Sequence, residues 1–99
     1  MEIKETELQN ILKDNKKVLV DCYAPWCGPC RMLGPVIEEL ENEITTCKFV
    51  KINVDDAEEL PKQYGIMSIP TLLFFEDGEL KGTNVGLISK DEIKQLIGE

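Results

Sequence analysis

Apolar and polar positions along this chain switch between a helical and an alternating period, and the switches mark out its elements. Leu8, Ile11 and Leu12 share one helical face, and Thr6 is placed to cap it, so a helix is predicted from Thr6 to Asp14. "MEIKE" before it reads as a short edge strand. "KVLVDCYA" (Lys17 to Ala24) is a continuous apolar run with one acid inside it, the pattern of a buried parallel strand, and Pro25 ends it. From about Cys27 to Ile44, residues Met32, Leu33, Val36, Ile37, Leu40 and Ile44 recur at helical spacing. Glu38, Glu39, Glu41 and Glu43 populate the other side of that helix. Pro35 lies within it, removes a backbone donor, and is expected to kink it.

"CKFVKINVD" (Cys47 to Asp55) alternates and is rich in β-branched residues, which predicts a second central strand. "AEELPKQYG" reads as a short helix stopping at Gly65. "TLLFFEDGELKGTNVG" reads as two antiparallel strands around the hairpin dipeptide Asp77-Gly78. Ser89 caps a last helix, with Glu92 three residues on as in a capping box. The order is (β)αβαβαββα, with a parallel first half joined by helical crossovers and an antiparallel hairpin after it. An α/β fold is expected, with a mixed central sheet of about four or five strands and helices on both faces. The 99 residues suit one domain, spanning positions 1–99.

Composition narrows the functions. The net charge of −8, with Lys and Arg scattered, argues against nucleic acid, whose phosphates need a basic footprint, and fits solubility. No apolar run approaches the roughly 20 residues of a membrane span, and the first residues lack the basic-then-apolar layout of a signal peptide. A cytoplasmic protein with no membrane contact is expected. In a reducing cytosol the four cysteines, Cys22, Cys27, Cys30 and Cys47, do not make a structural disulfide framework.

Cys27 and Cys30 alone have motif spacing, within "YAPWCGPCR". A zinc site wants about four ligands, yet the chain has no histidine and no second CxxC, and Cys22 and Cys47 fall inside predicted strands. No metal is expected. Thiol exchange uses the surroundings instead. The pair lies where a buried strand gives way to a helix, so free N–H groups and the helix dipole favour a thiolate at Cys27 and lower its pKa. The i,i+3 spacing brings both sulfurs to one face of the first turn. Gly28 allows close approach of a substrate backbone, and Pro29 suits the first turn, where its missing donor costs little.

Asp21 is the other candidate that the residues themselves single out. Val18, Leu19, Val20, Cys22 and Tyr23 flank it on both faces of the strand. A buried carboxylate without a partner tends to keep its proton, and below Cys30 it would serve as proton acceptor and donor during exchange. Cys22 and Cys47 read as small buried hydrophobes.

"WCGPC" preceded by "VDCYAP", with "SIPT" and "VG" downstream, resembles the thioredoxin family over nearly the whole chain. The Gly-Pro dipeptide is the one found in thioredoxins, whereas related oxidants, isomerases and glutaredoxins usually carry histidine or tyrosine there. The resemblance implies a thioredoxin fold with four helices around the sheet. It makes Cys27 the exposed attacking nucleophile and Cys30 the more buried resolving thiol. Trp26 would belong to the docking surface, Lys51 would modulate Asp21 from the next strand, and Pro70 would be a cis-proline facing the disulfide. Ile69 and Gly86 would let a substrate chain lie across the site. The family also implies reduction of disulfide-containing client proteins, re-reduction by a thioredoxin reductase, no cofactor beyond the Cys27–Cys30 disulfide, and a monomer. Two departures stand out: Cys22 replaces a large apolar residue, and Tyr23 replaces the commoner tryptophan. The competing class is a binding module that offers an apolar docking surface, with its cysteines dispensable.

Overall fold

A computed structural model describes residues 1–99. A 3-10 turn at Glu5–Glu7 leads into α1 (Leu8–Asp14), followed by β1 (Lys17–Tyr23), α2 (Gly28–Glu43) and β2 (Lys48–Asn53). Then come a second 3-10 turn (Val54–Asp56), α3 (Leu60–Tyr64), β3 (Thr71–Glu76), β4 (Glu79–Val85) and α4 (Lys90–Leu96). The fold is α/β, with one 4-stranded sheet in the order β2-β1-β3-β4. β1 pairs parallel with β2 and antiparallel with β3, and β3 pairs antiparallel with β4, so the sheet is mixed as its pattern implied.

Alternation along β1 sorts the core into two layers. Val18, Val20 and Cys22 point to one face, where they join Val50, Ile52, Leu73 and Phe75 under Leu8 and Leu12 of α1 and Leu60 of α3. Leu19 points to the other, with Phe49, Leu72 and Phe74, beneath Leu33, Ile37 and Leu40 of α2 and Ile93 of α4. Asp21 follows Leu19 by two residues, so it belongs to the α2 face. Helices therefore cover both faces, and the active loop between β1 and α2 emerges at the C-terminal end of the central strand.

Local chemistry explains most boundaries. Asp77 and Gly78 both have positive φ (54° and 81°), the left-handed pair that a two-residue hairpin turn needs, and they join β3 to β4. Ser89 accepts from the backbone N–H of Glu92 at 3.1 Å while the Glu92 carboxylate accepts from the Ser89 N–H, closing the expected capping box on α4. α2 runs through Pro35, which leaves the Arg31 carbonyl without its usual donor.

Three expectations need correction. Thr6 is not a cap: it lies inside the first 3-10 turn, whose leading N–H, that of Lys4, is satisfied by the Glu7 carboxylate at 2.9 Å. The first residues do not form a full fifth strand. They make one parallel bridge, Glu2 to Lys51, with the Ile3 N–H donating to the Lys51 carbonyl at 2.9 Å and the Lys51 N–H to the Met1 carbonyl at 3.0 Å. The second strand also ends earlier than its pattern implied, at Asn53, because the side chain of Asn53 accepts from Asp55 N–H and turns the chain into the 3-10 segment.

Candidate active site

Cys27 is the N-cap of α2. Its backbone is extended (φ −86°, ψ 116°) and its Sγ accepts from the backbone N–H of Cys30 at 3.2 Å. One of the orphan donors of the helix is thus aimed at this sulfur, where negative charge on a thiolate would be stabilised. Gly28 and Pro29 fill the first two helical positions, where no intrahelical donor is required. Cys27 and Cys30 are joined as a disulfide, with their Cα atoms 5.2 Å apart. Exposure does not separate them: Cys27 is 5% exposed and Cys30 4%, so the expected exposed sulfur is as covered as its partner in the closed pair. What differs is their surroundings.

Cys27 faces the loop before β3. The Ile69–Pro70 peptide bond is cis, Ile69 packs against the disulfide, and the Ile69 carbonyl oxygen lies 3.9 Å from Cys27 Sγ. Pro70 is buried and lacks an N–H, and its carbonyl accepts from Gly86 N–H at 2.8 Å. Gly86 (φ 96°) is further tied by its own carbonyl, which accepts from the Asn84 side chain at 3.1 Å. The segments carrying Ile69, Pro70 and Gly86 therefore meet in one structure beside Cys27. On the same flank, Trp26, Val54, Pro61, Ile66, Met67 and Ile69 line a shallow apolar groove of about 250 Å³. Met67 is 97% exposed and Trp26 68%, so this groove offers large apolar area to solvent.

Cys30 faces inward. It lines a depression of about 230 Å³ with Tyr23, Arg31, Gly34, Glu38 and Lys51. Gly34, Glu38 and Lys51 also border a second hollow of about 270 Å³, and Asp21 lies in its wall. Asp21 is 3% exposed and its Oδ1 has no hydrogen-bond partner. Burial pushes its carboxyl up from 3.8 to about 6, and the positive charge of Lys51 pulls against that shift without cancelling it. Lys51 is the register partner of Asp21 across β1 and β2, yet no ion pair joins them; its ammonium sits 4.9 Å from the centroid of the Tyr23 ring.

The other two cysteines play no part in this arrangement. Cys22 and Cys47 are free and buried, on opposite faces of the sheet. Burial, then the neighbouring Asp21 charge, pushes the Cys22 thiol up to about 12, and burial raises that of Cys47 to about 11. Both behave as small hydrophobes.

The structure adds residues that their local pattern did not reveal. Asp55 accepts from the Trp26 indole N–H at 3.0 Å and is itself oriented by Asn53, so it fixes the ring beside Cys27. Arg31 Nη1 donates to the Pro25 carbonyl at 3.2 Å and pins the loop before the helix. In the sequence Asp55 reads only as the end of a strand, and no spacing links it to Trp26.

Comparison with known proteins agrees with this geometry. A family model described as Thioredoxin matches residues 1–99. A thioredoxin of Mycoplasmoides gallisepticum is 47% identical over 93 residues, covering 94% of this chain and 93% of its own length. One of Bacillus subtilis is 49% identical over 83 residues, covering 83% of this chain and 80% of its own. Among solved structures, a mutant thioredoxin of Halobacterium salinarum superposes with a TM-score of 0.88 at 44% identity, covering 97% of this chain and 87% of that one. Plasmodium falciparum thioredoxin gives 0.89 at 33% identity, covering 98% and 95%.

Proposed function

Because this chain belongs to the thioredoxin family and is a thiol–disulfide oxidoreductase with a Cys27–Cys30 redox pair, we propose a division of labour among its residues. In the reduced protein, the Cys27 thiolate attacks one sulfur of a client disulfide. The client S–S bond breaks, one client sulfur leaves as a thiolate, and the other is held in a mixed disulfide with Cys27. Asp21 then takes the proton of Cys30. The Cys30 thiolate attacks Cys27 Sγ, the mixed disulfide breaks, and the second client sulfur leaves. Two electrons have passed to the client, and the internal disulfide is formed. Asp21 returns its proton when the pair is reduced again.

The observation that carries this reading is the asymmetry around the pair. Cys27 abuts Ile69, which with Trp26 borders the apolar groove, whereas Cys30 lines a depression that shares Gly34, Glu38 and Lys51 with the hollow walled by Asp21. A carboxyl titrating near 6 is well matched to proton exchange near neutral pH. Trp26, Gly28, Pro29, Ile69, Pro70 and Gly86 form the surface on which the client backbone lies. The 99 residues act as one monomeric domain, and a thioredoxin reductase returns the electrons. No helix is long and apolar enough to cross a membrane, and two unpaired cysteines suit a reducing compartment such as the cytosol.

Reductase-coupled reduction of a disulfide protein by the wild type, Cys27→Ser and Cys30→Ser tests the roles. Both variants lose turnover, and Cys30→Ser alone accumulates mixed disulfide with the client. Full turnover by Cys27→Ser would overturn the assignment of Cys27 as the attacking thiolate.

A further inference from the structure

Asp21 and Lys51 are cross-strand partners on the face of the sheet that α2 covers, an arrangement that ordinarily yields an ion pair. Here the pair is open. The Lys51 ammonium lies over the Tyr23 ring, 4.9 Å from its centroid, and Asp21 Oδ1 has no hydrogen-bond partner. We propose that Tyr23 is a positioning residue for the proton-handling carboxylate: its ring face holds the Lys51 ammonium away from Asp21 and so leaves that carboxyl only partly compensated. The inference rests on the reading of Asp21 as the proton acceptor of Cys30.

The competition follows from where each group sits. Asp21 is closed over, so an ammonium pairing with it would have to shed water to enter the hollow. Lys51 is exposed, and above the ring face it meets the negative side of the aromatic quadrupole while staying hydrated on its outer side. The ring itself is fixed, because the Tyr23 hydroxyl donates to Glu2 Oε1 at 2.7 Å. Glu2 in turn bridges Lys51 through the backbone, so the first residues, the ring and the lysine form one unit. Burial and then the Glu2 contact push the Tyr23 phenol up to about 12, which keeps it a neutral donor at working pH.

The other charges near Asp21 do not take over the role. From α2, Glu38 and Glu41 border its hollow, and from the first residues Met1 does, with its ammonium 3.7 Å from Glu41. Across β3 the partner of Asp21 is Leu72, which carries no charge. Asp56 faces the Tyr23 side of the group and pairs with Lys4 at 3.3 Å. Lys51 is therefore the cation whose position sets how far the upward push of burial on Asp21 is offset, and Tyr23 sets that position. With the lysine docked, Asp21 would be an ordinary, strongly acidic carboxylate and a poor acceptor for a thiol proton.

Direct titration of the Asp21 carboxyl by carbon-13 NMR in the oxidised protein tests this without relying on turnover. Tyr23→Leu should lower the Asp21 midpoint, with a loss of proton affinity of roughly tenfold, a change of one pH unit. Tyr23→Phe keeps the ring face and should leave the midpoint near that of the wild type. Lys51→Met should raise it, and in the Lys51→Met background Tyr23→Leu should have little further effect. Tyr23→Met, which also lacks a ring, gives the same reading if leucine is not tolerated. An unchanged or raised midpoint in Tyr23→Leu overturns the proposal. So does an equal fall in both backgrounds, which would mean that Tyr23 acts by shielding Asp21 from water. The role of Asp21 is judged separately: an unaltered resolving rate in Asp21→Asn removes the proton-acceptor reading and leaves the titration result standing.

Discussion

The indole N–H of Trp26 donates to the carboxylate of Asp55 at 3.0 Å, across 29 positions of sequence. The ring stands 68% exposed beside Cys27, so little packing fixes it, and this bond sets its orientation at the rim of the apolar groove. Asp55→Ala should free the ring and weaken docking of protein clients. A severalfold fall in kcat/KM for a disulfide protein is expected, with reduction of a small soluble disulfide unchanged. Stability should change by about 1 kcal/mol or less, as for one exposed hydrogen bond. Trp26 is the only tryptophan, so its fluorescence anisotropy reports the released ring directly. Equal losses on both substrates would instead place Asp55 in the exchange chemistry.

Asp21 carries a second, thermodynamic signature. Its carboxyl lies near 3.8 when unperturbed and at about 6 in the folded protein, chiefly through burial. Between these values the folded state holds a proton that the unfolded state has released. Stability attributable to Asp21 therefore falls as pH rises through that window, by roughly 3 kcal/mol at most. Asp21→Asn should consequently be the more stable protein at neutral pH, and the gap should close below about pH 4. Denaturant unfolding of both proteins across pH measures it. A gap independent of pH would show that the carboxyl is not held protonated. The same variant should slow resolution of the mixed disulfide more than its formation.

Much of this was legible because the signals are local. Cys27 and Cys30 show their role by position, since a buried strand, a break at Pro25 and a helical period place them at a helix N-terminus. Asp21 stands out as the lone acid in an apolar run. Ser89 with Glu92, and Asp77 with Gly78, fix their own caps and turns within three residues. What stayed hidden depends on partners that only the fold supplies. Asp55 meets Trp26 through a 3-10 turn that cuts its strand short, and the Lys51 ammonium lies over the Tyr23 ring rather than against its register partner. The covering of Cys27 was equally hidden, because the loop holding Ile69 closes over it from more than forty positions away.

Glu5 belongs to the same hidden class. Its carboxylate accepts from the backbone N–H groups of Glu58 (2.8 Å), Glu59 (3.1 Å) and Leu60 (2.7 Å), and so caps the entry to α3 from the far end of the chain. These donors, that of Leu60 foremost, lower its pKa. A group so depressed contributes stability above the ordinary carboxylate range and loses it as pH falls through its lower folded value. Glu5→Ala should cost about 1 kcal/mol, the typical figure for a lost cap, and lower Tm by roughly 4–8 °C. Thermal melts from neutral to acid pH check the sign, since the difference from the wild type should shrink on acidification. A difference that widens would contradict the capping role.

Gly86 tests whether the client surface depends on backbone as much as on side chains. Its φ of 96° is a conformation that side chains rarely adopt, although a Cβ there would meet nothing within 4 Å. Strain rather than collision is therefore the cost of Gly86→Ala, about 1–2 kcal/mol. Relaxing that strain turns the peptide whose N–H holds the Pro70 carbonyl at 2.8 Å, and the segment facing Cys27 moves with it. Stability and client reduction should fall together, with reduction of a small disulfide largely retained. Gly28→Ala is the matched control, because Gly28 has open space around its Cβ position and no positive φ. That control should leave the melting temperature nearly unchanged. If Gly86→Ala melts lower yet reduces protein disulfides at the wild-type kcat/KM, the Gly86–Pro70 bond supports the fold alone and the client does not lie across it.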